Sequence, residues 1–144
     1  LKGTKKNDFI IGKTGDDKLD GSKGDDVLQG DKGNDILKGS KGNDYLDGSK
    51  GTDLLIGGKG ADVFQISKGF DTVRDFSIKQ GDRIALDKKG KYTIKVESWF
   101  EERGLVDNVV IKGSGRGDNT KLFLQGVDYD DVIEAGADLF VQPI

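Results

Sequence analysis

The sequence predicts an all-β chain: a roll of stacked parallel strands over residues 3–74, followed by a β-rich cap over residues 75–144. Two observations carry that expectation. Fifteen of the 23 glycines lie within residues 1–74, where they recur every nine residues, and a fixed short period is the mark of a repeat architecture. After residue 74 the beat stops, and alternating β-branched and aromatic residues take its place.

In one-letter code the eight units read GTKKNDFII (3–11), GKTGDDKLD (12–20), GSKGDDVLQ (21–29), GDKGNDILK (30–38), GSKGNDYLD (39–47), GSKGTDLLI (48–56), GGKGADVFQ (57–65) and ISKGFDTVR (66–74). The sixth position is always Asp: Asp8, Asp17, Asp26, Asp35, Asp44, Asp53, Asp62 and Asp71. The eighth is always apolar: Ile10, Leu19, Leu28, Leu37, Leu46, Leu55, Phe64 and Val73. Gly fills the first position except at Ile66 and the fourth except at Lys6.

Each unit then has a physical reading. Its first six residues, rich in Gly, Asn and Asp, form a turn, because Gly permits positive φ and close backbone approach. The last three are too few for an independent strand and carry one inward apolar side chain between two outward ones. Such a unit buries nothing by itself. Stacked in parallel, successive copies form a hydrogen-bonded ladder around a thin stripe of Leu, Ile, Phe and Val. Second positions hold Ser, Lys, Thr or Asp except at Gly58, a substitution that costs little if the backbone there does not need positive φ.

In a coil of two units per turn, carboxylates 18 residues apart become neighbours. One file is Asp8, Asp26, Asp44 and Asp62; the other is Asp17, Asp35, Asp53 and Asp71. At a strand spacing of about 4.8 Å, two unpaired carboxylates repel by about 1 kcal/mol in water and several times that at an effective dielectric near 20. A divalent cation between turns turns this repulsion into attraction. The chain has no Cys, His or Met, so thiolate zinc sites, disulfides and Cys/His or Ser/His catalysis are excluded, and a hard, oxygen-liganded cation remains. Calcium, which accepts six to eight oxygens at flexible angles, suits such turns better than magnesium. The ion is structural, and its binding free energy becomes folding free energy.

These units resemble the GGxGxDxUx nonapeptides of the RTX (repeats-in-toxin) family, described as a calcium-binding β-helix repeat. The resemblance implies a right-handed parallel β-roll in which calcium sits between turn loops, held by the sixth-position Asp of two loops and by carbonyls of the first four turn positions. Carried onto this sequence, the Asp pairs are Asp8–Asp26, Asp26–Asp44, Asp44–Asp62, Asp17–Asp35, Asp35–Asp53 and Asp53–Asp71. The implied carbonyl donors include Gly12, Gly15, Gly21, Gly24, Gly30, Gly33, Gly39, Gly42, Gly48, Gly51, Gly57 and Gly60. About four to six ions follow, the two end pairs falling where Lys6, Ile66 and Phe70 depart from the pattern. The resemblance also implies a module at the carboxyl end of a larger secreted bacterial protein that leaves by type I secretion, stays unfolded at low cytosolic calcium and folds outside the cell.

Residues 71–86 resemble the segment that closes the roll in many RTX proteins. Residues 91–98, 106–113 and 120–127 alternate as antiparallel strands should, and Asp128–Ala135 reads as a short helical turn capped by Asp128. The absence of Met, even at position 1, leads to the expectation that the chain is a piece of a longer polypeptide. No run approaches the roughly 18 apolar residues of a membrane span, and Leu1–Ile10 lacks a secretory leader, so the expectation is a soluble module with no transmembrane segment. A net charge of −3 argues against nucleic acid as a partner.

Other features have bland readings beside sharper ones. Lys occupies the third position in seven units: Lys5, Lys23, Lys32, Lys41, Lys50, Lys59 and Lys68. A comb for an anionic glycan or surface, with Trp99 and Phe100 as a sugar platform, is the alternative function, that of an adhesion module. Residues 1–74 carry 13 Asp against 13 Lys and Arg, so a solvated face that offsets the Asp files is the simpler account. Asp128, Asp130 and Asp131 suit a helix amino terminus without any metal. No Ser has a base of near-neutral pKa beside it in sequence, and the chain itself is read as non-enzymatic.

Overall fold

The computed structural model describes residues 1–65, 67–86, 92–101, 104–113, 120–125, 127, 134–135 and 140–141, with the backbone alone for 92–101, 104–108 and 141. The chain is all-β, and its parallel strands wind into a β-solenoid of about four turns. One ladder stacks β1 (Phe9–Thr14), β3 (Val27–Lys32), β5 (Tyr45–Asp47), β8 (Val63–Gln65), β10 (Arg83–Ala85) and β14 (Phe140–Val141). The other stacks β2 (Lys18–Asp20), β4 (Ile36–Lys41), β7 (Leu54–Lys59) and β9 (Lys68–Val73).

The register is the period of the sequence. Ile10 pairs with Leu28, Leu28 with Leu46 and Leu46 with Phe64 on one side; Leu19 pairs with Leu37, Leu37 with Leu55 and Leu55 with Val73 on the other. Leu28, Leu37, Leu46, Leu55, Phe64 and Val73 are wholly buried. A slip of one residue would point this stripe outward, which fixes the stacking. Each unit still buries only one large apolar side chain, worth about 1.5–3 kcal/mol.

The strands outrun the three residues expected. β1, β3, β4 and β7 each span six residues, continuing into the first positions of the next unit, and β9 spans six residues within the eighth unit. Pairing there is local: Lys32 meets Lys50 of β6 (Lys50–Gly51), and Gly51 meets Gly69.

The second position also behaves otherwise than expected. Lys13, Ser22, Asp31, Ser40 and Ser49 have φ between 70° and 85°, so the backbone there does require the left-handed region, at about 1–2 kcal/mol for each residue with a Cβ. An upstream Asp offsets part of that cost: Ser22 N–H donates to Asp20 Oδ1 at 3.0 Å and Ser49 N–H to Asp47 Oδ1 at 2.9 Å. The fourth-position glycines are needed twice over. Gly42, for example, has φ 127°, and a Cβ on it would collide with the Gly24 carbonyl of the turn below.

Parallel pairing continues past residue 74. Ile84 of β10 lies on Phe64, and the Phe64 and Phe76 rings pack at 5.8 Å between centroids. β11 (Tyr92–Glu101), β12 (Gly104–Gly113) and β13 (Lys121–Gln125) form an antiparallel meander, as the alternation predicts. β13 then joins the roll by parallel pairing with β9, Leu124 opposite Val73. Val109, Ile111, Leu122 and Leu124 thereby extend the core of the roll. Of the helical turn expected over residues 128–135, only Glu134 and Ala135 are described, and both are helical. Asp128, Asp130 and Asp131 lie outside the described residues, as do the side chains of Trp99 and Phe100. Among the described residues no helix is long and apolar enough to cross a membrane.

Candidate metal centre

The 18-residue stacking brings the sixth-position carboxylates into two files, and each is tied to its neighbour by one repeated hydrogen bond. The backbone N–H of Asp8 donates to Asp26 Oδ1, that of Asp26 to Asp44 Oδ1 and that of Asp44 to Asp62 Oδ1, at 2.8, 2.8 and 2.9 Å. In the second file Asp17 donates to Asp35, Asp35 to Asp53 and Asp53 to Asp71, at 2.8, 2.7 and 3.2 Å. Asp26, Asp35, Asp44, Asp53, Asp62 and Asp71 are buried, while Asp8 and Asp17 are half-buried.

The second oxygen of these carboxylates defines the site. Oδ2 of Asp26, Asp35, Asp44 and Asp53 is buried without a hydrogen-bond partner among the described residues. Native interiors satisfy almost all such atoms, so four equivalent exceptions need a physical explanation. The first-position glycines explain how they fit. A Cβ on Gly21, Gly30, Gly39, Gly48 or Gly57 would overlap Oδ2 of the Asp in the same unit, and one on Gly12 would press against Asp17 Oδ2. These glycines therefore provide room for a carboxylate, whereas Gly15, Gly24, Gly33, Gly42, Gly51 and Gly60 provide positive φ.

Burial is the largest influence on the charge of these groups. It raises the pKa of Asp26, Asp35 and Asp53 above the ordinary 3.8, that of Asp44 to about 6, and those of Asp62 and Asp71 to about 7. The ladder hydrogen bonds oppose the rise, and neighbouring carboxylates add to it: Asp26 acts on Asp44, Asp82 and Asp44 on Asp62, and Asp53 on Asp71. Stacked, buried carboxylates with free oxygens are costly alone and form a good donor set for a hard cation.

Among the described residues no three or more Asp, Glu, His or Cys converge at one point. A cation between turns would therefore take its carboxylates two at a time and fill its sphere with backbone carbonyls, the oxygen-rich, irregular geometry that calcium tolerates. First-position carbonyls run down the same turns, with Gly39, Gly48 and Gly57 oxygens facing Gly21, Gly30 and Gly39. Third-position carbonyls already accept one bond each: Lys32 from Gly15 N–H, Lys41 from Gly24, Lys50 from Gly33 and Lys59 from Gly42.

Three features of the site escaped the reading of the repeats. Fifth-position side chains form a ladder running opposite to the Asp files. Asn7, Asp16, Asp25, Asn34 and Asn43 each accept, through Oδ1, the backbone N–H 18 residues ahead, at 2.7–2.9 Å. Their signal was present: the fifth position is Asn or Asp in units one to five. Asp82 continues the first file, accepting Asp62 N–H at 3.0 Å and Ser77 N–H at 2.8 Å. Asp75 closes the last turn by accepting the Gly57 and Gly58 N–H groups, both at 2.9 Å. Lys5, Lys23, Lys32, Lys41, Lys50, Lys59 and Lys68 all stand exposed on the outer surface.

A family model described as RTX calcium-binding nonapeptide repeat (4 copies) matches residues 2–37 and 29–64. No curated protein sequence matches the chain. Among solved structures, the chain is similar to the AlgE6R3 subunit of the Azotobacter vinelandii mannuronan C5-epimerase, determined in solution. The alignment covers 96% of this chain and 80% of that one, at 21% sequence identity and a TM-score of 0.36.

Proposed function

We infer that this chain, whose residues 2–64 are RTX calcium-binding nonapeptide repeats, is a module that folds on binding calcium outside the cell. In that role it stabilises, and assists the type I secretion of, a larger secreted bacterial protein. The observation that carries the reading is the set of four buried, unpartnered Oδ2 atoms on Asp26, Asp35, Asp44 and Asp53. Without a cation, each unit buries charge for the return of one apolar side chain. With one, the same oxygens become ligands and the turns are drawn together. The module's part in the parent is structural, and the chain is not itself an enzyme in this reading. Extracellular calcium modules bind at about 10⁻⁴–10⁻³ M, above cytosolic levels, which supports folding after export. The absence of Cys suits an extracellular protein stabilised by metal in place of disulfides.

A calcium titration followed by far-ultraviolet circular dichroism, with magnesium at equal ionic strength as control, tests the folding step. The expected result is a cooperative gain of β signal with calcium alone, near or below millimolar. A chain fully folded in chelator, or one that responds equally to magnesium, overturns it. The export step is read separately by deleting residues 128–144 from the parent protein. Secretion is expected to fall sharply, and unchanged secretion would remove export from the proposed role.

A further inference from the structure

Asp8 of the first unit and Asp71 of the last are held differently from the Asp residues of the units between them. In the interior the second-position residue has positive φ, as at Ser22 (78°), Asp31 (77°), Ser40 (85°) and Ser49 (70°). At Ser22 and Ser40 the hydroxyl turns away from the Asp of its own unit: Ser22 donates to the Gly3 carbonyl and Ser40 to Asp20 Oδ1. Oδ2 of Asp26, Asp35, Asp44 and Asp53 is left without a partner among the described residues.

At the two ends the second-position residues are Thr4 and Ser67, and Thr4 does not share the positive φ of the interior positions. The Thr4 hydroxyl donates to Asp8 Oδ2 at 2.9 Å, joined by the Thr4 N–H at 2.6 Å. The Ser67 hydroxyl donates to Asp71 Oδ2 at 2.9 Å. Ser40 and Ser67 are the same residue at the same repeat position, yet the Ser67 hydroxyl caps the Asp of its own unit and the Ser40 hydroxyl does not. Both ends also break the Gly pattern, with Lys6 in place of the fourth glycine and Ile66 in place of the first.

Resting on the calcium reading above, we propose that Thr4 and Ser67 are end stops of the cation files. They confine calcium to the pairs Asp17–Asp35, Asp35–Asp53, Asp26–Asp44 and Asp44–Asp62. The Asp8–Asp26 and Asp53–Asp71 pairs hold none. A hydroxyl proton directed at Oδ2 stands where a calcium ligand oxygen must face the ion, about 2.3–2.6 Å away. The hydrogen bonds also supply the partner that the interior oxygens lack, so a cation at either end would replace an existing interaction where an interior one fills a need.

Calcium counting on the full chain by calorimetry and by elemental analysis of the dialysed protein tests the proposal. The wild type is expected to bind four ions. Ser67→Gly removes the donor and permits positive φ, and should bind five; Ser67→Ala removes the donor alone and should also reach five, with weaker affinity for the added ion. A wild-type count of six overturns the proposal whatever the variants do. So does an unchanged count in a folded Ser67→Gly or Ser67→Ala chain, and so does loss of an ion in Ser67→Ala, which would make the hydroxyl a ligand. A wild type that binds no calcium defeats the underlying calcium reading instead.

Discussion

Asp44→Ala takes the chain from four bound calcium ions to two, and moves the calcium midpoint of folding upward by tenfold or more. The size of the effect follows from position. Asp44 lies between Asp26 and Asp62 in its file, linked to each by a hydrogen bond of 2.8–2.9 Å, so one side chain serves two interturn sites. Truncation also strands the Asp26 N–H, a buried donor whose lost partner costs about 1–3 kcal/mol, and about 1.4 kcal/mol is a tenfold change in an equilibrium constant. Asp44→Asn separates these contributions. Its carbonyl oxygen can still accept from Asp26 N–H, so the ladder survives while the charge is lost. The calcium count should still fall, yet in chelator this variant should show more β signal than wild type, because the buried carboxylate no longer has to be kept charged. Asp44→Asn should therefore show more β signal in chelator than Asp44→Ala, which loses the ladder bond, while both variants lose calcium. An unchanged stoichiometry and midpoint in Asp44→Ala would mean that Asp44 is not shared between turns, and the stacking of ligands would have to be redrawn.

Much of this architecture was legible because the sequence period and the structural period coincide. Two nine-residue units make one turn, so writing the units beneath one another already aligned Leu28 with Leu46 and Asp26 with Asp44, as the ladder does. The inward stripe and the carboxylate files followed from that alignment alone. What was missed has a common cause: residues that look like turn filler can have directed roles. Ser and Lys at second positions gave no sign of positive φ, because that conformation is set by the close stacking of turns and not by local preference. Asn and Asp at fifth positions are ordinary turn residues, and only the three-dimensional register shows that their oxygens accept bonds from the next turn. Asp82 was hidden by a change of step, since it follows Asp62 by 20 residues where 18 is the rule. The pairing of β13 with β9 joins Leu124 to Val73, a separation for which a nine-residue period offers no guide.

Acidifying the calcium-free chain from about pH 8 to about pH 5 should raise its β content, the reverse of ordinary acid denaturation. Burial lifts Asp44 to about 6 and Asp62 and Asp71 to about 7 from an unfolded value of 3.8. Between those values the folded roll binds more protons than the unfolded chain, so its stability falls as pH rises through the window. Below about pH 4 both states are protonated and the penalty is absent; above about pH 7 it is present in full. Calcium reverses the dependence. Ligation requires the deprotonated carboxylates, so proton and cation compete for the same oxygens. The calcium midpoint should rise on acidification through the same window, by about tenfold per pH unit for each proton displaced. Circular dichroism in chelator across this range, paired with calcium titrations at each pH, reads both slopes. If β signal in chelator stays flat from about pH 8 to about pH 4.5, carboxylate charge is not what holds the metal-free roll open, and the lack of apolar burial per turn must account for it. If the chelator slope is present while the calcium midpoint ignores pH, the carboxylates that repel one another are not the ones that bind the ion, and the two Asp files would have to be separated from the calcium sites.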